Sequence, residues 1–475
     1  MPHNFVKISV SKIRARIMRA CILTSMISTI VFNKTKRRHV IKICAVALIA
    51  GFLTACSSTA PQISETMRLK LGSIIDEFRE NNPQWDEGTL ELLPSAPNAL
   101  RLLFRGGRLT NLQTLTNLPI TELIFDRVQF DDLSFISNLK LESLQIFSNT
   151  EINLNGIEQQ KNLRNLLIRF LTPASCTLAP NALADLPLKK LSIQNAIIAV
   201  PFPTLPSLEI LTLEYCSGID DFSFLSHALK LKNLELNACT DLDLQTMPPI
   251  PVETVSLRFS PALNLQALNR LKNLKTLTIS APQSLDFLKD SRIESLFVIN
   301  SDTPLNLEIL ATLNVQELEL INCPLNSISP LSQCQNLKTL NLTLNQISNL
   351  APLAGLKIQH LFVGGNPITS LEPLAQCRQL QSLFITQCPI TSLKPLAGLP
   401  NLQILKIEKT PISSLEPLIS LPIREIWLSE CPINNLEPLT QMTKLQKIHL
   451  QNLPSQTSIP QSLRAKTTVK NHERN

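Results

Sequence analysis

"LFVGGNPITSLEPLAQCRQLQS" (residues 361–382) is followed directly by "LFITQCPITSLKPLAGLPNLQI" (383–404), a second copy of the same pattern. Each copy opens with Leu-x-(Ile or Val), has Asn or Cys five positions after that Leu, and later contains Pro-Leu. Self-similarity at a period of roughly 20–50 residues is the signature of a repeat architecture. The opening apolar position recurs at residues 102, 123, 144, 166, 191, 211, 234, 255, 277, 296, 318, 340, 361, 383, 405, 426 and 448.

The pattern resembles the leucine-rich repeat family, in the 22-residue form seen in phosphatase-regulatory proteins and bacterial internalins. The resemblance covers residues 95–453 and implies an α/β fold, a curved solenoid with about 17 short parallel strands on its concave face. The convex face would carry short helical or 3-10 turns. Because strand side chains alternate, the two apolar residues of each copy should face inward, and stacked copies should share one core.

The position five residues after the opening Leu is expected to point into the core and to bond backbone groups of the turn. We expect the cysteines there to be free, small buried residues, and the array to need no metal or cofactor, because no C-x-x-C pair is present. This ladder position holds Asn149, Cys216, Cys239, Ser260, Ser301, Cys323, Asn345, Asn366, Cys388, Thr410 and Cys431.

An N-terminal apolar run, residues 43–53, follows a basic segment and is 11 residues long. A membrane-spanning helix needs an apolar run of roughly 20 residues, whereas the apolar core of a secretory signal peptide is about 7–15 residues long. The end of the run, Leu53-Thr54-Ala55-Cys56, resembles the lipobox of bacterial lipoproteins. In that family the chain is cut before the Cys, whose thiol carries diacylglycerol. An ordinary cleaved signal or a short anchor is the alternative.

The resemblance to lipoproteins predicts a lipid-anchored protein of the bacterial cell envelope, attached to the membrane through Cys56. Ser57 stands where Asp commonly signals inner-membrane retention, which favours the outer membrane. The predicted organisation is an N-terminal extension with signal peptide (1–55), a lipidated Cys and linker (56–62) and a helical cap (63–101). Leucine-rich repeats (102–453) and a flexible polar tail (454–475) follow.

The charge distribution argues against a nucleic-acid partner. Residues 1–55 hold ten Lys or Arg and no acidic residue, so the remainder has 34 basic and 37 acidic side chains, a net charge of −3. A nucleic-acid surface would need clustered positive charge on the folded domain. His227, His360 and His449 lie in different copies and no Gly-rich phosphate loop occurs, so we predict that the chain is not an enzyme.

The residue between the two apolar strand positions should face outward into the concavity. In the last eight copies these residues are Phe297, Glu319, Asn341, Phe362, Phe384, Lys406, Trp427 and His449. Aromatic residues make up 4% of the chain, yet four of these eight are Phe or Trp. Exposed aromatic side chains are typical of interfaces.

We therefore predict that a protein or glycan partner binds Phe297, Glu319, Phe362, Phe384, Lys406 and Trp427. Two alternatives remain open. The phenylalanines could simply suit strands on a crowded concave wall. Separately, a second and weaker aromatic set lies at the strand ends (Phe170, Tyr215 and Phe259). The chain could also be an intracellular or secreted interaction or effector protein, similar to phosphatase regulators.

Overall fold

One long sheet of 19 strands forms the body of the protein, beside two sheets of 2 strands each. The structure is a computed structural model and describes residues 74, 77–85, 88–96, 99–172, 176–199 and 202–470. Ile74 and residues 77–80 are α-helical. The strands are β1 Thr89–Ala96, β2 Ala99–Arg105, β3 Ile120–Asp126, β4 Ser143–Ser148, β5 Asn165–Phe170, β6 Cys176–Leu178, β7 Lys190–Gln194, β8 Ala196–Ile198, β9 Ile210–Glu214, β10 Asn233–Asn237, β11 Leu242–Asp243, β12 Thr254–Leu257, β13 Ala262–Leu263, β14 Thr276–Ser280, β15 Ser295–Ile299, β16 Glu317–Ile321, β17 Thr339–Asn341, β18 His360–Phe362, β19 Ser382–Thr386, β20 Ile404–Glu408, β21 Glu425–Ser429, β22 Lys447–Gln451 and β23 Thr467–Lys470.

Short 3-10 helices form the turns between the repeat strands, and those of neighbouring repeats contact one another. The recurring prolines Pro330, Pro352, Pro373, Pro395, Pro417 and Pro438 each fall within such a helix, as the fixed φ of proline favours. The 3-10 helices are Gln113–Leu115, Ser134–Ile136, Ile157–Gln159, Pro180–Leu183, Ser223–His227, Leu244–Thr246, Leu265–Arg270, Asp286–Leu288, Glu308–Thr312, Ser329–Gln333, Ala351–Leu353, Glu372–Gln376, Lys394–Leu396, Glu416–Leu418, Glu437–Gln441 and Gln461–Lys466.

The leucine-rich repeat solenoid predicted from the sequence is confirmed, including its seventeen repeat strands. These strands pair in parallel from β2 to β22, and the small sheets β6–β8 and β11–β13 branch from the turns. The register places equivalent residues side by side, for example Leu361 beside Leu383. Both are fully buried, as is Ile407 in the next repeat. Burying one such side chain contributes about 1.5–3 kcal/mol, so stacking of the repeats is the main source of stability.

A left-handed residue at the end of most repeat strands turns the ladder position inward. Asn322 has φ of 54° and Gln387 has φ of 52°. Each of these residues lies four positions after the opening Leu of its copy, so regular strand alternation would point its side chain into the core. The left-handed conformation instead exposes them, and the residues that follow, Cys323 and Cys388, are buried.

Two copies depart from this rule, and there the ladder prediction was wrong. Neither β4 nor β5 ends in a left-handed residue, so both strands keep their alternation for six residues. As a result Ser148 and Phe170 occupy the buried position, while Asn149 and Leu171 are exposed.

The ladder asparagines satisfy more backbone groups than the ladder cysteines. Asn345 Nδ2 donates to the carbonyls of Leu320 (2.7 Å) and Leu342 (2.8 Å), and its Oδ1 accepts from the Cys323 N–H (3.0 Å). In contrast, Cys388 Sγ contacts two carbonyls, those of Val363 (3.2 Å) and Thr386 (3.5 Å), through a weak thiol donor. Within the described residues all seven ladder and convex-side thiols, Cys216, Cys239, Cys323, Cys334, Cys377, Cys388 and Cys431, are free and buried.

The two ends of the solenoid differ from the sequence-based boundaries. The segment 63–101, predicted to be a helical cap, also contains β1, which pairs antiparallel with the first repeat strand β2. This hairpin covers the edge that β2 would otherwise expose. The helical part packs through Phe78, whose ring lies 5.0 Å from that of Trp85.

The segment 454–475 was predicted to be a flexible tail, but as far as residue 470 it forms regular secondary structure. It contains the last 3-10 helix and β23, which pairs in parallel with β22. Leu463 is buried, and Thr457 Oγ1 donates to the Ile433 carbonyl (2.9 Å). The segment therefore covers the last repeat, whose core and strand edge would otherwise be exposed. In the part of the chain that the structure describes, no helix has the length and apolar character needed to cross a bilayer.

Candidate functional site

The strand face, defined as the side of the long sheet whose side chains point away from the core, carries all six predicted partner-binding residues. The strand register places them on neighbouring strands in one line, which we call the outer row. It consists of Phe297, Glu319, Asn341, Phe362, Phe384, Lys406, Trp427 and His449. The placement agrees with the sequence analysis, whereas the binding role of these residues stays a prediction.

Phe362 and Phe384 form a parallel stack in the middle of the outer row. Their ring centroids are 4.3 Å apart and the planes differ by 10°. Adjacent strands lie about 4.8 Å apart, so equivalent residues on β18 and β19 meet face to face. Each ring covers one face of the other, and both side chains are half-buried.

A second stacked pair, Trp427 and His449, follows two strands later. Their ring centroids are 4.0 Å apart with an interplanar angle of 27°, and Trp427 is 38% exposed. Glu425 Oε1 accepts hydrogen bonds from Trp427 Nε1 (2.9 Å) and His449 Nε2 (3.1 Å). One carboxylate therefore holds both rings in fixed orientations.

Glu425 is a functional candidate that the sequence analysis missed. It lies two residues before Trp427 on β21, so alternation brings both side chains to the strand face. Its second oxygen, Oε2, lies 4.0 Å from Lys447 Nζ. The sequence signal for Glu425 was its position two residues before Trp427 on the same strand. Only the residue between the two apolar strand positions was considered in each copy, so Glu425 was not included.

Lys406 separates the two aromatic pairs. It lies between Phe384 and Trp427 in the strand register. Its Nζ is 2.8 Å from Glu408 Oε2, so the ammonium group turns away from the outer row. The strand register leaves the methylene stem of Lys406 between Phe384 and Trp427. The stem therefore continues the apolar surface from one aromatic pair to the other.

The N-terminal end of the outer row is more polar. Glu319 is half-buried between Phe297 and Asn341, and burial raises the pKa of its carboxyl, with Arg258 opposing and Glu317 reinforcing this effect. Asn341 Oδ1 accepts from the Thr343 hydroxyl (2.6 Å). Phe297 thus lies apart from the stacked aromatics and does not extend their surface.

The second aromatic set proposed at the strand ends does not form a surface. Phe170 is fully buried in the core, because β5 lacks the left-handed residue. Phe259 is half-buried, and only Tyr215, at 48% exposure, is open to solvent. Cys56, the predicted lipid-attachment residue, lies outside the described residues.

The histidines of the array lie in separate environments. His227 Nδ1 is 3.0 Å from the hydroxyl of its neighbour Ser226 on an exposed 3-10 helix. His360 lies on β18 and His449 stacks on Trp427. Across residues 77–85, 88–96, 99–172, 176–199 and 202–470, no three His, Cys, Asp or Glu side chains form a group that could hold a metal ion.

Comparison with solved structures supports the fold. The chain is similar to a leucine-rich repeat protein of Leptospira interrogans (21% identity, 76% of this chain and 93% of that chain, TM-score 0.50). It is also similar to the mouse RP105/MD-1 complex (19% identity, 76% and 70%, TM-score 0.50). An internalin of Listeria monocytogenes aligns with 19% identity over 79% and 87% of the chains, at a TM-score of 0.32.

At these identities the comparisons establish the shared leucine-rich repeat fold alone. No protein-family model matches the sequence, and a search of curated proteins finds no match.

Proposed function

We propose that the chain is a non-enzymatic leucine-rich repeat lipoprotein of the bacterial cell envelope that binds a protein partner through its strand face. The observation that carries the binding role is the pair of ordered aromatic stacks, Phe362–Phe384 and Trp427–His449, in a single outer row. Exposed Trp is enriched among the residues that dominate binding energy at protein interfaces.

The rings are ordered before any partner binds. Stacking orients Phe362 and Phe384, and the hydrogen bonds that Trp427 and His449 donate to Glu425 orient those two rings. A partner would therefore immobilise few of these side chains on binding, at a cost of about 0.5–1.5 kcal/mol for each side chain that it does order. Pre-ordered aromatic side chains at an exposed surface favour a role in recognition.

The ring orientations favour a protein over a glycan. A sugar ring packs its C–H groups flat against an open aromatic face. In the Phe362–Phe384 pair one face of each ring is covered by the other at 4.3 Å. The part of each ring that remains exposed can pack against aliphatic and aromatic side chains of a protein partner.

The proposal of a lipid anchor is based on the lipobox-like sequence at residues 53–56 and the basic segment before it. Two or more acyl chains hold a protein stably on a bilayer, because each buried CH₂ contributes about 0.8 kcal/mol. We place the protein at the outer membrane, since Ser57 follows Cys56. Radiolabelled palmitate should be incorporated into the wild-type chain and not into Cys56→Ala. An unlabelled wild-type chain would refute the anchor and favour an intracellular or secreted interaction protein, whereas a labelled Cys56→Ala chain would show that the lipid is attached to another residue.

Capture from intact cells tests the binding role separately. The wild-type chain should retain a partner that Phe384→Ala and Trp427→Ala lose, with a weakening of about 1–3 kcal/mol for each change. Tyr215→Ala is a matched control, because Tyr215 is an exposed aromatic residue outside the outer row. Equal capture by all variants would show that the partner binds elsewhere.

A further inference from the structure

Positive charge is concentrated at the C-terminal end of the solenoid. Residues 440–475 contain six Lys or Arg and one acidic residue, a net charge of +5. Residues 56–439 contain 28 basic and 36 acidic side chains, a net charge of −8. The last repeat and its covering segment therefore form a basic end on an otherwise acidic array, and such a field attracts anions.

An open cleft of about 540 Å³ lies within this basic end. It gathers side chains from the entry to β21, the entry to β22 and the last 3-10 helix. Three of its six lining residues are cationic and two are neutral hydrogen-bonding residues, whereas none is acidic. The lining residues are Arg424, Thr443, Lys444, Leu445, Gln446 and Lys466.

The three cations are not neutralised by the described part of the chain. Arg424, Lys444 and Lys466 make no ion pair or side-chain hydrogen bond with any described residue, although eleven ion pairs occur elsewhere. The carboxylate next to Arg424 in sequence, Glu425, is bound to Trp427 and His449 on the strand face.

Ordered backbone holds the cationic residues around the cleft. The Arg424 carbonyl accepts from the Gln446 and Lys447 N–H groups (2.8 and 3.0 Å). Lys444 precedes Leu445, which is buried. Lys466 ends the 3-10 helix that Leu463 fixes to the core. The fold thus brings three cationic residues to the lining of one cleft.

We infer that this cleft binds the phosphate group of a ligand. A phosphate offers several oxygens and up to two negative charges, which match one guanidinium and two ammonium groups that approach from different repeats. Arg forms paired hydrogen bonds to phosphate oxygens, and Lys adds point charges. Thr443 and Gln446 offer neutral donors. The phosphate could belong to a soluble compound or to a phospholipid headgroup.

Calorimetric titration of the full chain in neutral detergent tests the cleft. The two probes are inorganic pyrophosphate and water-soluble dihexanoyl phosphatidylglycerol, with dihexanoyl phosphatidylcholine for comparison. Lys444→Ala combined with Lys466→Ala should weaken binding at least tenfold. Lys447→Ala combined with Arg464→Ala removes the same charge from the same end outside the cleft lining, and should change affinity less than threefold.

The two probes identify the source of the phosphate. Tighter binding of phosphatidylglycerol than of pyrophosphate would indicate a lipid headgroup, and the reverse order would indicate a soluble ligand. Arg424→Gln provides a second cleft variant if the double variant unfolds. Absence of saturable binding to the wild-type chain, or equal weakening by the cleft and control variants, would overturn the proposal.

Discussion

The indole N–H of Trp427 donates a hydrogen bond of 2.9 Å to the carboxylate of Glu425 on the same strand. The same oxygen accepts from His449 on the next strand, so a single side chain links two members of the outer row. Because Trp427 is 38% exposed, this bond orders an aromatic ring at the protein surface.

Glu425→Ala should release the Trp427 ring. The chain has two tryptophans, and the other, Trp85, is buried, so fluorescence quenching by acrylamide reports mainly on Trp427. We expect faster quenching in Glu425→Ala and an unchanged unfolding midpoint. Glu430→Ala, which removes a carboxylate paired with Lys409, serves as the control. Identical quenching in both variants would show that Glu425 does not order the indole.

Asn345→Ala should destabilise the fold strongly. The change removes the side-chain partner of the Leu320 carbonyl and of the Cys323 N–H, whereas the Leu342 carbonyl still accepts from Asn366 Nδ2 (2.8 Å). Each unsatisfied buried group costs about 1–3 kcal/mol, so for two groups we expect a loss of about 2–6 kcal/mol of unfolding free energy. Urea unfolding measures it. Asn326→Ala, at an exposed position, should cost less than about 0.5 kcal/mol. Similar losses in both would contradict the ladder role.

The buried Cys323 thiol should make stability depend on alkaline pH. Burial raises the pKa of this thiol to about 11, above its ordinary value. Below the ordinary pKa both states keep the proton and stability is unaffected. Between pH 9 and pH 11 the unfolded state loses the proton first, so stability falls by up to about 1.4 kcal/mol per pH unit.

Unfolding in urea at pH 8 and pH 10 checks this dependence. The wild-type chain should lose more stability over this interval than Cys323→Ala, which lacks the titrating group. Comparing the two proteins cancels the contributions of lysine and tyrosine residues. An identical loss in both would show that the thiol ionises as freely in the folded state as in the unfolded state.

Deletion of residues 454–475 should destabilise the solenoid. The deletion removes Leu463 from the core and β23 from the edge of β22. Loss of one buried Leu costs about 1.5–3 kcal/mol, and the uncovered edge invites association between chains. Thermal unfolding and light scattering measure these two effects. Deletion of 471–475 alone is the control, and an equal melting temperature for the two truncated chains would restore the free-tail interpretation.

The sequence predicted the repeat strands well, because Leu at a period of 22 residues reports directly on which side chains face the core. The opening positions of all seventeen copies lie in strands. The ladder position was predicted correctly where a left-handed residue ends the strand. It was wrong at Asn149, because the conformation of Ser148 depends on the local backbone rather than on the repeat pattern.

Contacts between residues outside the repeat pattern were not predictable. Leu463 and β23 do not follow the 22-residue spacing, so their packing against the last repeat left no periodic signal. The positions of Phe362 and Phe384 in one row followed from alternation. Their stacking distance, and the bonds that Glu425 makes, depend on side-chain torsions that periodicity does not determine.

The central claim is that a protein binds the outer row, and photo-crosslinking in intact cells tests it most directly. A benzophenone amino acid is placed at position 384 or 427 in the outer row, or at Glu416 on an exposed 3-10 helix away from the strand face. We expect a covalent adduct with one protein of constant mass from positions 384 and 427, and none from position 416. Adducts from position 416 alone would contradict the account.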